Sequence, residues 1–129
     1  PITAKLFAAS SARDTDFTVT VTDMFPDGYG NYIQDGIIRA SYRESDITPS
    51  AIEPGRVYGY DIDLWATSTV FKAGNRLRVS VHSSNFPRWT RNLNTATSPE
   101  EGLKPEVAYN TVLHEAAWPS HIVLPVIPR

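Results

Sequence analysis

Residues 57–95 read VYGYDIDLWATSTVFKAGNRLRVSVHSSNFPRWTRNLNT. The run opens by alternating. Tyr58, Tyr60, Ile62 and Leu64 fall on one face of an extended chain, with Asp61 and Asp63 on the other. Alternation at period two is the pattern of a half-buried β-strand. A second alternating run places Leu77, Val79 and Val81 on one face and Arg76, Arg78, Ser80 and His82 on the other. Between them, Ala66 to Asn75 carries a turn signal at Lys72-Ala73-Gly74-Asn75. That connector is longer than the roughly two to five residues of an ordinary hairpin loop. The two strands are therefore expected in different sheets, joined by an arch that keeps Asp61 and Asp63 away from Arg76 and Arg78. After the second run, Ser83 to Thr95 is loop chemistry with two aromatics and two arginines embedded in it.

Working outward, the clearest strand is Phe17 to Thr22, where Phe17, Val19 and Val21 alternate with Thr18, Thr20 and Thr22; such β-branched residues suit a pleated surface. Thr3 to Ala9 alternates weakly. Phe25-Pro26-Asp27-Gly28 turns the chain into Tyr29–Gln34, and a further strand is read at Gly36–Arg43. Pro54-Gly55 is a tight turn, with Pro presetting the first central φ and Gly allowing a positive φ at the second. The last strands are expected at Val107–Glu115 and His121–Ile127, divided at Ala116–Pro119. No stretch sustains a helical apolar period. Ten prolines and regular turn signals separate about seven short strands, the pattern of an all-β sandwich. Its expected core is Phe17, Val19, Val21, Tyr60, Ile62, Leu64, Leu77, Val79 and Val81.

A chain of 129 residues makes one domain, large enough to hold a core without staples. It has no cysteine, which excludes disulfides and thiolate metal sites and is compatible with a reducing cytoplasm. A net charge of −2 gives no electrostatic reason to expect nucleic acid or an anionic membrane as partner. No apolar run approaches the ~18 residues of a membrane helix. The chain opens Pro1-Ile2-Thr3, in the style of mid-strand sequence, and is expected to be a piece of a longer polypeptide. Thr3 to Ala9, or its sheet neighbour, is then expected to have an open edge. Lys5 is the only charge guarding it, so concentration-dependent self-association is expected.

Chemistry-bearing motifs are few. No serine sits in the Gly-x-Ser-x-Gly elbow that an α/β-hydrolase nucleophile needs. His114-Glu115-Ala116-Ala117-Trp118 begins like the zinc-protease pattern but lacks its second histidine, and reads as a strand end followed by a turn. Asp14/Asp16 and Asp61/Asp63 are carboxylate pairs, short of the six to eight oxygens that calcium takes. No metal, cofactor or catalytic residue is assigned. The candidate contact surface is the loop, through Phe86, Pro87, Arg88, Trp89, Arg91, Asn92 and Asn94, because Trp and Arg concentrate at interface centres. A competing role has Phe86 and Trp89 plugging the end of the sandwich while Arg88 and Arg91 hold neighbouring carbonyls. The two roles are compatible, since a contact loop must be rigid.

The stretch IDLWATSTVFKAGNRLRVSVHSSNFPRWTRNLNT resembles the C-terminal domain of the CocE/NonD family hydrolases, which include cocaine esterase and the X-Pro dipeptidyl-peptidases. DTDFTVTVTDMFPDGYG, DGIIRASYRES, EPGRVYGYDIDLW, NTVLHE and WPSHIVLPVIPR carry the resemblance over nearly the whole chain, in order. Three positions depart from the family pattern: Asn75 stands where it usually has His, Thr90 where it has Asp, and Ala96 where it has Gly. The resemblance implies a non-catalytic jelly-roll β-sandwich of the galactose-binding-like type, spanning residues 1–129. It also implies a partner, an upstream α/β-hydrolase domain holding a Ser-His-Asp triad that attacks ester or X-Pro amide carbonyls. The competing reading is a free-standing carbohydrate-binding module with Trp65, Trp89 and Trp118 as stacking platforms. Against it, Trp65 and the Tyr58/Tyr60 face are expected to be buried.

Overall fold

The computed structural model describes residues 1–97, 101 and 104–128. Its strands are β1 (Thr3–Ser10), β2 (Asp16–Met24), β3 (Gly30–Arg39), β4 (Tyr58–Asp63), β5 (Arg76–His82), β6 (Asn110–Glu115), β7 (Trp118–Pro119) and β8 (His121–Val123). A 3₁₀ turn, Ala40–Tyr42, follows β3. Two antiparallel sheets form an all-β sandwich. One has the order β4-β1-β6-β7, with β8 also on β1, and the other is β3-β2-β5. β6 and β8 share one side of β1, along Phe7–Ser10 and Thr3–Lys5 respectively, and β4 runs along the other side.

The core forms where the apolar sets of β1, β2 and β4 meet. Leu6 and Ala8 of β1, Phe17, Val19 and Val21 of β2, and Tyr60, Ile62 and Leu64 on and just after β4 are buried together. The Phe17 and Tyr60 rings lie 5.0 Å apart, a tilted pair. β1 reads weakly in sequence because its buried face is Ala4, Leu6, Ala8 and Ser10, of which only Leu6 is large, leaving room for the Phe17 and Tyr60 rings. On one side the sandwich closes tightly. A Cβ on Gly36 of β3 would come within 2.3 Å of the Asp63 carbonyl, so only glycine lets the two sheets approach there.

The arch is as expected. β4 and β5 lie in different sheets, and Asp61 pairs with Lys5 at 2.8 Å. The Asp63 carboxylate accepts the Trp65 N–H. The turns also match: Gly28 has φ +89 and Gly55 φ +81. His114-Glu115 ends β6 before a turn.

Several expectations are corrected. Leu77, Val79 and Val81 point to the core side, opposite Asp23, Val21 and Val19 of β2, yet stay 41%, 40% and 38% exposed. The cause is position, since β5 is the edge of its sheet and no described strand closes the sandwich beyond it. Of the two places expected for an open edge, the Thr3–Ala9 run is excluded, because β1 is paired on both sides, and its neighbour β4, paired among the described residues with β1 alone, is an edge. The run from Gly30 to Arg39 is one strand with a register shift near Ile33, not two. The C-terminal strands are shorter than read, and Val107, Val126 and Ile127 are exposed. Trp65 is 71% exposed. The chain turns at Trp65 with φ +66, which throws its side chain out of the β4 alternation.

Candidate functional site

The loop after β5 folds back over the outer face of the β3-β2-β5 sheet. Phe17, Val19 and Val21 face the core, so Asp16, Thr18 and Thr20 face outward, and Asp35 of β3 lies beside Thr20 on that outer face. Asp16, Thr18 and Asp35 are nonetheless buried. A buried carboxylate needs charged or N–H partners, and these come largely from the loop.

Two anchors hold it. At the first, Arg88 Nε lies 2.8 Å from Asp35 Oδ2 and Asn85 Nδ2 donates to the same carboxylate at 3.3 Å. The Arg88 guanidinium also stacks 4.8 Å from the centre of the Trp89 ring. At the second, Asn92 Nδ2 donates to Asp16 Oδ1 at 2.8 Å and to Asp14 Oδ2 at 3.1 Å. Asp16 is held from below by a bidentate Arg39, with Nε to Oδ1 at 2.8 Å and Nη2 to Oδ2 at 3.0 Å. This pairing raises the Arg39 pKa further, against the opposing effect of burial. Arg39 Nη2 also donates to the Thr90 carbonyl. Asp14 completes its shell with the Ser41 N–H at 2.8 Å and hydroxyl at 3.0 Å. Beside the first anchor, burial and then the Asp35 carboxylate push the Tyr32 phenol up.

Beyond the anchors the backbone is pinned to the following segment. Asn94 N–H donates to Asn92 Oδ1 and its Nδ2 to the Glu106 carbonyl, both at 2.8 Å. Glu106 N–H returns to the Leu93 carbonyl. Asn94 and Ala96 both have left-handed backbone, with φ +64 and +58. Asparagine tolerates that conformation, whereas alanine is strained in it.

The seven candidate contact residues thus divide. Arg88, Asn92 and Asn94 hold the loop to the sandwich. Trp89 is half-buried, and Phe86, Pro87 and Arg91 are exposed. Phe86 is 69% exposed and does not plug the sandwich. Arg88 holds a carboxylate, not a carbonyl. The result is an anchored base that leaves an apolar pair, Phe86-Pro87, and a cation, Arg91, exposed. The anchoring acids Asp16 and Asp35, and the donor Asn85, lie outside the candidate set. Asp16 has a signal in sequence, a carboxylate at the head of the alternating β-branched run of β2, whereas Asp35 and Asn85 have no such local signal. Asp14 and Asp16 have most of their oxygens engaged by these donors, and among the described residues no three His, Cys, Asp or Glu side chains come together as a metal site. Trp65, Trp89 and Trp118 stand on separate elements, Trp118 against Phe7 at 5.6 Å.

A sequence profile of the X-Pro dipeptidyl-peptidase C-terminal non-catalytic domain matches residues 1–123. The chain is 46% identical over 130 residues to cocaine esterase of Rhodococcus sp. (strain MB1 Bresler), covering 99% of this chain and 23% of that protein. An aminopeptidase from a marine sediment archaeon, Thaumarchaeota archaeon, superposes with a TM-score of 0.83 at 31% identity, over 95% of this chain and 23% of its own. An α-amino acid ester hydrolase superposes with a TM-score of 0.83 at 28% identity, over 98% and 22%. The chain therefore spans under a quarter of the length of each of these proteins.

Proposed function

The chain belongs to the family of X-Pro dipeptidyl-peptidase C-terminal non-catalytic domains, and from that premise we propose that it is the accessory β-sandwich of a serine hydrolase. The enzyme would be of the X-Pro dipeptidyl-peptidase or acyl esterase class, and residues 1–129 would form one domain packed on an upstream α/β-hydrolase catalytic domain. The catalytic domain supplies the serine that forms an acyl-enzyme on an ester or amide carbonyl and is then released by water. This chain supplies a wall: the loop carrying Phe86, Pro87, Arg88, Trp89, Arg91, Asn92 and Asn94 docks on the catalytic domain and borders its cleft.

The observation that carries this reading is the two-point carboxylate anchoring of the loop. An unanchored loop would lose conformational entropy on docking, whereas one pinned by Asp35, Asp14 and Asp16 has already lost it. The apolar Phe86-Pro87 pair and Arg91, which makes no ion pair among the described residues, then meet the partner without rearrangement.

The test has two arms. The isolated chain is expected to show no turnover of nitrophenyl acetate or an Ala-Pro anilide, and no serine labelled by a fluorophosphonate. In the longer polypeptide, Phe86→Ala and Arg91→Ala are expected to loosen the domain contact, seen as faster proteolysis between domains and lower activity. In the isolated chain the same changes should alter stability by no more than about 0.5 kcal/mol. Serine labelling in the isolated chain, or unchanged behaviour of both variants in the longer polypeptide, would sink the reading.

A further inference from the structure

The free edges of the two sheets are not equally open. β7 and β8 are short, Trp118–Pro119 and His121–Val123. β3 carries a register shift against β2, and its Gly36 is pressed against the Asp63 carbonyl. β4 keeps its core-side Tyr60 and Ile62 fully buried, so a strand added there would cover little more of them. β5 differs on each count. It runs in unbroken register with β2 from Arg76 to His82, and among the described residues it pairs with β2 alone. Its core-side Leu77, Val79 and Val81 stay about two-fifths exposed. It has no proline, no bulge and no inward-pointing charge, devices that ordinarily protect an edge. The loop that follows runs away from it, toward β3 on the far side of β2, where Asn85 and Arg88 meet Asp35.

The sequence of β5 is complementary to itself. Directly opposite residues of an antiparallel pair lie on the same face of the sheet. A two-fold axis must therefore pass through a residue if apolar side chains are to meet apolar ones. An axis through Val79 engages the whole strand: Val79 meets itself, Leu77 meets Val81, and Arg78 meets Ser80. Arg76 meets His82, which carries no formal charge at pH 7. No cation stands directly opposite another. An axis through Arg78 would oppose two arginines, which is destabilising, and one through Ser80 would leave Leu77 outside the strand pair. The register centred on Val79 is thus the one that pairs every residue of β5 without a like-charge contact.

We propose that a second copy of this chain covers the β5 edge, in a two-fold dimer centred on Val79. The two β3-β2-β5 sheets join into one continuous sheet, and Leu77, Val79 and Val81 of both copies form one apolar strip on its core side. The interface is isologous, each copy using the same patch. A single strand pair buries less than the roughly 1,200 Å² of a stable interface, and the two Arg78 side chains lie diagonally across the axis. The dimer is therefore weak and concentration-dependent. The self-association expected at β1 or its neighbour is in this way assigned to β5. The surface is separate from the anchored loop, so this proposal and the docking of that loop fail independently.

The chain has no cysteine, so single introduced cysteines report the register without background. Directly opposite Cα atoms lie roughly 4.5–5.5 Å apart, within reach of a disulfide. With diamide as oxidant, Val79→Cys is expected to form a disulfide-linked dimer. Leu77→Cys and Val81→Cys each lie about 13 Å from their own mates across the axis. Each should link at least tenfold more slowly alone, and the two should link to each other when mixed. Sedimentation equilibrium of the parent chain over roughly 5 µM to 1 mM should show the mass rising from monomer toward dimer. Ser80→Glu sets a carboxylate opposite Arg78 twice per dimer and should tighten it about fivefold, and Ser80→Arg should loosen it by a similar factor. A monomer mass throughout overturns the proposal and leaves the edge to a segment from outside this chain. Linking of Val79→Cys no faster than Leu77→Cys alone, or equal association of the two Ser80 variants, overturns it as well.

Discussion

Asn92 is the single side chain that ties the loop to two buried carboxylates, and its replacement separates two explanations of the loop's rigidity. Its Nδ2 donates to Asp16 at 2.8 Å and to Asp14 at 3.1 Å. Hydrogen bonds to charged acceptors contribute roughly 1.5–3 kcal/mol each. Asn92 is half-buried, and both acids keep other donors in Arg39 and Ser41. The low end therefore applies, and Asn92→Ala should cost about 3 kcal/mol. Asn92→Asp has the same shape but replaces the donor with a third carboxylate facing the first two. At an effective dielectric of about 20, like charges a few ångströms apart repel by several kcal/mol. At about pH 7 the Asp variant should thus be clearly less stable than the Ala variant. Its introduced carboxyl would have a folded-state pKa raised by the two neighbours. Its deficit is then absent below the unfolded carboxylate pKa and grows as pH rises toward the folded one. The gap between the variants should close on acidification to about pH 4. Urea unfolding of both proteins at the two pH values, with amide exchange over Asn85–Thr97, reads this directly. Equal stability of the two variants at neutral pH, or a gap indifferent to pH, would refute the latch.

Ala96→Gly should stabilise the chain by about 0.5–1 kcal/mol, because Ala96 sits at φ +58 and the strain relieved outweighs the added unfolded-state entropy; a thermal midpoint at or below that of the parent contradicts it. Ile62→Ala, at a 1% exposed position, should cost about 2–5 kcal/mol. Val79→Ala, on the open edge, should cost less than half as much, and equal losses in a denaturant titration would place β5 in the core after all. Burial pushes the Tyr60 phenol up to about 12, with Arg43 working the other way. The folded state keeps this proton while the unfolded chain loses it near 10. Stability is therefore full below about pH 10 and falls by up to about 2–3 kcal/mol as pH rises to about 12. Tyr60→Phe should lose less stability than the parent over that range, and parallel losses would show that Tyr60 is not the group titrating.

Much of the sandwich was legible because strand parity is a local property. Phe17, Val19, Val21, Tyr60, Ile62 and Leu64 alternate in sequence and are buried in the structure. The arch followed from connector length alone. β5 shows where local reading stops. Its Leu77, Val79 and Val81 alternate as cleanly as the residues of β2, yet sheet order puts β2 in the centre and β5 at the edge, and nothing within seven residues encodes that. The loop divides in the same way. Its aromatic and arginine content singled it out as the candidate contact surface. Which side chains face inward depends on acids that pair with it across 50 positions or more, from Asp35 to Asn85 and from Asp16 to Asn92. Asp14 and Asp16 read in sequence only as a carboxylate pair too small for calcium, because their partners, Arg39, Ser41 and Asn92, are brought to them only by folding.

The central claim is that the face presented by Phe86, Pro87 and Arg91 meets a catalytic domain. Hydroxyl-radical footprinting of the isolated chain beside the longer polypeptide tests it most directly, since Phe86 is 69% exposed here and oxidises readily when open to solvent. Trp65, 71% exposed and remote in sequence from the loop, serves as the internal reference. The account predicts that oxidation of Phe86 falls several-fold in the longer polypeptide relative to Trp65. Equal oxidation of Phe86 in the two proteins would contradict it.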